Sequence, residues 1–168
     1  MNIILCTNNN YTDPFLHSQL LNIYKEIDSI DDIYLFCRTD KKEKNIINIS
    51  YGKFSFLVYF FKLFLFLFNL KNENTTIHLR GFVSAFIFFF VQKIIFWKKF
   101  KYIYDPRGAF VIELKESKFS DKDNFLLKML KLIEKNLIEN SIKTIVTTER
   151  FKELFVSQYG LTDKLIVL

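Results

Sequence analysis

The chain has 168 residues, half of them apolar, which fits one domain with a sizeable core and excludes disorder as a description of the whole. Its net charge of +6 and pI near 9.2 point to anionic partners. No dense Lys/Arg block with interleaved exposed aromatics occurs, and the longest basic runs are only Lys41-Lys42-Glu43-Lys44 and Lys98-Lys99-Phe100-Lys101, so no nucleic-acid partner is expected.

The opening MNIILCTNNN carries neither the basic start nor the apolar core of about 7–15 residues that marks a secretory signal, so a cytoplasmic location is expected. Its apolar part, Asn2–Cys6, reads as the first strand. Further strands are predicted at Ile33–Cys37, Ile46–Ile49, Thr76–Arg80, Lys101–Asp105, Lys143–Thr147 and Lys164–Leu168. The first, second, fourth and fifth are nearly continuous apolar runs, as strands covered on both faces must be. Helical patterns lie between them at Pro14–Ser29, Lys53–Leu70, Gly81–Trp97, Phe119–Glu139 and Glu149–Tyr159. Thr12 or Asp13 offers a cap ahead of Pro14, and Ser120 with Asp121 opens the fourth helix. Strands alternating with helices predict a three-layer, Rossmann-like α/β domain with a mostly parallel sheet of about seven strands. No repeat or Pro/Gly-rich linker divides the chain, so residues 1–168 read as a single domain.

Cys6 and Cys37 stand in apolar runs without a CxxC or Cys/His cluster, so they read as reduced core thiols and no metal is expected. Two helices are unusually apolar, Phe54–Leu70 and Gly81–Trp97. Each is 17 residues long with an internal lysine, Lys62 or Lys93. Short connections to flanking strands favour packing on the sheet over spanning a bilayer, with aromatic and lysine side chains suited to peripheral membrane contact.

Only four arginines and four glycines occur, yet two of each form Arg-Gly pairs at strand ends: Arg80-Gly81 closes TIHLRGF, and Arg107-Gly108 follows Asp105 in KYIYDPRGAF. Ligands of open parallel sheets bind outside the carboxyl ends of the strands. If the fourth and fifth strands are neighbours, the two arginines share one rim, about one strand spacing of ~4.8 Å apart. Guanidinium groups there suit bidentate binding of phosphate or carboxylate, and each glycine would let the backbone turn and offer its N–H. The structural alternative is a clamp, with each arginine pairing with Asp105, Glu113 or Glu116.

The loop TNNNYTDPFLHSQ lies at the matching end of the first strand. Its asparagines tolerate left-handed turns, and Asn10, Thr12, Asp13, His17 and Ser18 add polar groups to the rim. The expected substrate-binding set is therefore Arg80, Gly81, Arg107, Gly108, Asn10, Thr12 and Ser18. His17 is a candidate base or acceptor contact, while His78, inside a strand, reads as packing. GxGxxG is absent, which argues against a dinucleotide site and against a phosphate-handling flavodoxin-like domain.

DPFLHSQLL, IHLRGF, KYIYDPRGAFVIELKE and LIEKNLIENSIKTIVTTERFKELF, taken in order, resemble the N-terminal, acceptor-binding half of glycosyltransferase family 4 enzymes with the GT-B fold. The most specific element is Asp105, Arg107 and Gly108 followed by Glu113; next is the helix carrying Glu134, then a strand and Thr-Thr-Glu-Arg. The resemblance implies transfer of a sugar from a nucleotide-sugar co-substrate, with no bound cofactor or metal. The acceptor would be a glycan or lipid-linked molecule of lipopolysaccharide, capsule or another surface glycan, handled at the inner face of the cytoplasmic membrane. Asp105, Arg107, Glu113 and His17 are the candidates for catalysis.

Such enzymes continue into a second, nucleotide-sugar-binding domain, whereas this sequence stops at KLIVL, and its first loop has asparagines where many have Gly-Gly. The expectation is an acceptor-binding half that needs a second domain or subunit, because catalysis requires donor and acceptor held together. The competing expectation is a non-catalytic, membrane-associated module that holds an anionic glycolipid or a protein partner.

Overall fold

The computed structural model describes residues 1–16, 18, 21–26, 30, 32–40, 43–49, 52, 54–71, 74–116, 124–161 and 163–167. Seven parallel strands form one sheet: β1 (Asn2–Asn10), β2 (Asp32–Arg38), β3 (Ile46–Asn48), β4 (Thr75–Arg80), β5 (Lys101–Asp105), β6 (Thr144–Val146) and β7 (Leu165–Val167). Their order is β3-β2-β1-β4-β5-β6-β7, with β1 and β4 at the centre where the chain reverses direction across the sheet. This is the Rossmann-like architecture that the alternation of elements predicts.

Side chains of a strand alternate between its faces, and the core divides accordingly. Ile4, Cys6, Phe36, Ile77, Leu79, Tyr102 and Tyr104 are buried in the large core beneath α3 (Ser55–Asn69), α4 (Phe82–Ile94), α6 (Asn124–Asn140) and α7 (Glu149–Tyr159). Leu5, Leu35 and Cys37 point the other way, against Leu16 and Leu21 from α1 (Pro14–Leu16) and the approach to α2 (Asn22–Lys25). A continuous apolar strand such as Ile3–Cys6, buried along its whole length, is what two covered faces require.

Local chemistry sets the helix ends. α7 is capped by the Thr148 hydroxyl, which accepts from the Phe151 N–H at 3.1 Å, and stops at Gly160 in a left-handed conformation. α3 ends differently. The Lys98 ammonium, arriving from the turn after α4, donates to the Leu67, Phe68 and Leu70 carbonyls at 3.2, 2.6 and 3.0 Å, satisfying carbonyls that the helix leaves open.

Between α6, β5 and α7 the Glu134 carboxyl is buried. It accepts from the Tyr104 hydroxyl at 2.8 Å and from the Tyr159 hydroxyl, so one carboxyl joins three elements. Burial raises its pKa above the ordinary value, and the two phenol donors pull in the opposite direction.

Several boundaries move from the sequence expectation. β1 continues through Asn8 and Asn9 to Asn10, where a turn was expected; Asn10 still pairs with Arg38 after a register irregularity. The Thr7 hydroxyl accepts from the Asn9 N–H at 3.1 Å and donates to the Asn9 side-chain oxygen at 3.1 Å, which ties these polar residues into the extended backbone. Within the helix predicted over Pro14–Ser29, Pro14–Leu16 and Asn22–Lys25 are α-helical and Ser18 and Leu21 are π-helical, while positions 17, 19, 20 and 27–29 lie outside the described residues; the helix predicted over Gly81–Trp97 ends at Ile94. A helix α5 (Phe110–Glu116) follows the second Arg-Gly pair, a stretch whose pattern had no helical assignment. The predicted cap at Ser120 and Asp121 lies outside the described residues. Among the described residues no helix is long and apolar enough to cross a membrane.

Candidate functional site

The parallel register brings three polar residues level at the carboxyl edge of the sheet: Thr7 lies opposite Arg80, and Arg80 opposite Asp105. The chain then leaves β4 and β5 through the two Arg-Gly pairs, and the pairs differ. At Gly81 the backbone has φ 81° and ψ 151°, a conformation essentially confined to glycine, and the Gly81 N–H donates to the Asp105 carbonyl at 2.7 Å. That N–H joins β4 to β5, where the sequence expectation had it turned toward a ligand.

At the second pair the arginine itself takes the strained geometry. Arg107, φ 62°, is the one non-glycine residue with a positive φ among the described residues. Left-handed backbone costs an L-residue roughly 1–2 kcal/mol, and such residues concentrate at functional sites. Gly108 bears on the turn differently: a Cβ there would lie 3.2 Å from Glu113 Oε1, so that carboxylate would have to shift by a few tenths of an ångström. That oxygen accepts from the Ala109 N–H at 3.1 Å and so holds the start of α5 against the turn.

The two arginines do not form a two-pronged rim. Arg80 is 2 % exposed, its Nη1 3.9 Å from Asp105 Oδ2, while Arg107 is exposed at the surface above. Enclosure of β4 between β1 and β5 is what submerges Arg80. Its guanidinium pKa is lowered, first by burial and then by the nearby Arg107 charge; Asp105 and Asp13 oppose the shift. The clamp reading therefore describes Arg80.

Asp105, also buried, faces His78 as well, with 3.7 Å between Oδ2 and Nε2, and the other His78 nitrogen is hydrogen-bonded to the Tyr24 hydroxyl. Burial and, second, the Asp105 charge push the Tyr24 pKa up to about 12. Asp105 Oδ1 is buried and has no hydrogen-bond partner among the described residues. These contacts give His78 a polar role beneath the rim beyond packing.

Arg107 opens instead into a cleft of about 800 Å³ between the starts of α5 and α7, outside the carboxyl ends of β5 and β6. Its polar lining includes Arg107, Glu113, Thr148, Arg150 and Glu153. Two exposed guanidinium groups, the capping hydroxyl of α7 and carboxylates at the edge can together bind an anionic, hydroxyl-bearing molecule. Of the predicted site residues, Arg107, Gly108 and Glu113 meet in this cleft.

Arg80, Gly81 and Asp105 lie behind it. Asn10 and Thr12 sit at the end of β1, where Asn9 donates to the Asp13 carboxylate. Ser18 is exposed, and His17 lies outside the described residues. Arg150 and Thr148 were missed as site residues, although the strand-end argument applied to β6 as it did to β5. Among the described residues no group of three or more His, Cys, Asp or Glu could hold a metal ion.

No protein-family model matches the chain, and no curated protein matches it. Solved structures do. The chain aligns with sucrose-phosphate synthase from Thermosynechococcus elongatus at a TM-score of 0.62 and 11 % identity, covering 99 % of this chain and 47 % of that one. UDP-GlcNAc 2-epimerase from Methanocaldococcus jannaschii aligns at 0.58 and 15 %, covering 99 % and 44 %. The same enzyme from Neisseria meningitidis, bound to UDP-GlcNAc, aligns at 0.58 and 14 %, covering 99 % and 45 %. The chain thus spans less than half the length of each, and its fold is that of one Rossmann-like half of a GT-B protein.

Proposed function

We propose that this chain is the acceptor-binding half of a glycosyltransferase. It would receive a surface-glycan or lipid-linked acceptor in the cleft between α5 and α7 and act with a second domain or subunit that brings the nucleotide sugar. The observation that carries this reading is the meeting of Arg107, in a strained left-handed backbone, with Arg150, Thr148 and Glu113 at the strand ends of a GT-B half. Two of the structural neighbours are named for a nucleotide sugar, UDP-GlcNAc, and the third for a sugar phosphate, and each is about twice as long as this chain, which supports a two-part enzyme.

In this reading Arg107 and Arg150 grip an anionic group of the acceptor, and Thr148 bonds a hydroxyl. Glu113, held by the Ala109 N–H beside Arg107, is the carboxylate assigned to accept a proton from the attacking hydroxyl. Asp105 touches no ligand. It is a positioning residue that pairs with Arg80 and whose carbonyl accepts from the Gly81 N–H, tying the end of β4 to β5.

The test is calorimetric titration of the chain with glucose 1-phosphate as a minimal sugar phosphate. Hydrogen bonds to charged groups are worth roughly 1.5–3 kcal/mol, so Arg107→Ala and Arg150→Ala should each weaken binding by about tenfold or more. Unchanged binding in the double variant would overturn the site. Sugar transfer by the 168-residue chain alone, at the rate of a two-domain enzyme, would overturn the two-part reading.

A further inference from the structure

We propose that the outer face of α3 and the turn after α4 form a docking surface for an anionic lipid bilayer. The surface is separate from the cleft, and the inference stands independently of the reading given to that cleft.

A helix on a sheet ordinarily buries one stripe and shows water the other. α3 does not. Tyr59, Leu63 and Leu67 face the core, four residues apart. Leu57, Phe61, Leu65 and Phe68, at spacings of four, four and three, form a second apolar stripe that is 47 to 57 % exposed.

This stripe continues onto the turn after α4. Phe68 meets Trp97 edge-on with ring centroids 6.2 Å apart, and Trp97 meets Phe96 at 5.3 Å. Both are exposed, Trp97 by 56 % and Phe96 by 76 %. The 15 residues of α3 extend about 22 Å, short of the ~30 Å hydrocarbon core, so the stripe can lie in an interface and cannot cross it.

Charge chooses the occupant. Residues 51–101 contain eight basic side chains (seven lysines and Arg80) against one acidic, a balance of +7, whereas the whole chain carries +6. The rest of the molecule is therefore close to neutral, and the positive charge travels with the two apolar helices. Arg80 is buried at the other end of the sheet, but Lys93, Lys99 and Lys101 are exposed beside Phe96 and Trp97.

A second copy docking by the same face would bring two sets of exposed lysines, Lys93, Lys99 and Lys101, toward one another, which repel. Anionic headgroups under aromatic rings and flanking lysines match both features at once. Lys98 takes no part in this contrast, because it is engaged by the α3 carbonyls.

Trp97, the single tryptophan, is a built-in probe. The experiment floats the chain with vesicles of phosphatidylcholine containing three-tenths phosphatidylglycerol, and with phosphatidylcholine alone, while following Trp97 emission. Binding to the anionic vesicles with a shift of emission to shorter wavelength, weakened by salt, is the expected result. A lysine near an anionic surface is worth about fivefold in partition, so Lys93→Gln/Lys99→Gln/Lys101→Gln should weaken binding roughly a hundredfold.

Phe61→Ser/Leu65→Ser should lower it as well, with far-ultraviolet circular dichroism checking the fold, and Arg107→Ala should bind as the unaltered chain does. Equal partition into neutral vesicles, an unmoved Trp97 spectrum, or a stable dimer that shields Trp97 without lipid would each overturn the proposal. The comparison of the two vesicle types needs no variant, so a misfolded substitution does not blunt the test. Loss of glucose 1-phosphate binding on Arg107→Ala, with lipid binding intact, would separate this surface from the cleft.

Discussion

Replacing Arg107 by glycine and by alanine isolates the backbone strain at the cleft. At φ 62° an L-residue bears roughly 1–2 kcal/mol of steric cost that glycine does not. Glycine in turn loses about 0.5–1 kcal/mol more conformational entropy on folding. Both variants lose the guanidinium and its contacts, so their difference reports the backbone alone. The glycine variant should be the more stable by about 0.5–1 kcal/mol, or ~1–4 °C in Tm for a domain of this size. Urea unfolding followed by Trp97 fluorescence gives the comparison, and both variants should bind glucose 1-phosphate about equally poorly. An alanine variant as stable as the glycine variant, or more so, would refute the left-handed geometry and with it the argument that this turn stores strain for a function.

Three further outcomes follow from the geometry. Gly81→Ala should destabilise by about 1–3 kcal/mol in the same assay, because φ 81° with ψ 151° is closed to other residues even though the space around its Cβ position is open. Glu134 binds its proton more tightly in the folded chain than in the unfolded one. Its contribution to stability is therefore full below its unfolded pKa and declines as pH rises through the folded value. Glu134→Gln should flatten that part of the stability profile in unfolding curves taken from about pH 5 to about pH 8, and an unchanged slope would exclude Glu134 as its source. Cys6 and Cys37, whose thiol pKa values burial pushes up to about 12, should resist a disulfide-exchange reagent at pH 8 until urea unfolds the chain, so immediate reaction in the native state would contradict their burial.

Much of the architecture is legible in the sequence because it rests on local patterns. Apolar runs such as Ile3–Cys6 and Tyr102–Tyr104 signal covered strands, and the alternation with amphipathic stretches such as Asn124–Asn140 signals a three-layer sheet. The same patterns, joined to the rule that ligands meet strand ends, single out Arg107 and Gly108. They fail where a neighbour far away in the chain decides. The asparagines of β1 look like a turn, yet pairing beside β2 and the Thr7–Asn9 bonds keep them extended.

Local patterns alone carry the fold class, the strand-end position of both Arg-Gly pairs, and the concentration of positive charge in the segment with the two apolar helices. What each arginine does depends on long-range packing. Enclosure of β4 between two strands buries Arg80 against Asp105, whereas the left-handed turn lifts Arg107 into a cleft with Arg150, a partner 43 residues away whose role depends on how β5 and β6 end side by side. The outward aromatic stripe of α3 was equally undecided beforehand. A helix apolar on every side shows which face the sheet takes only after packing has chosen one and left the other exposed.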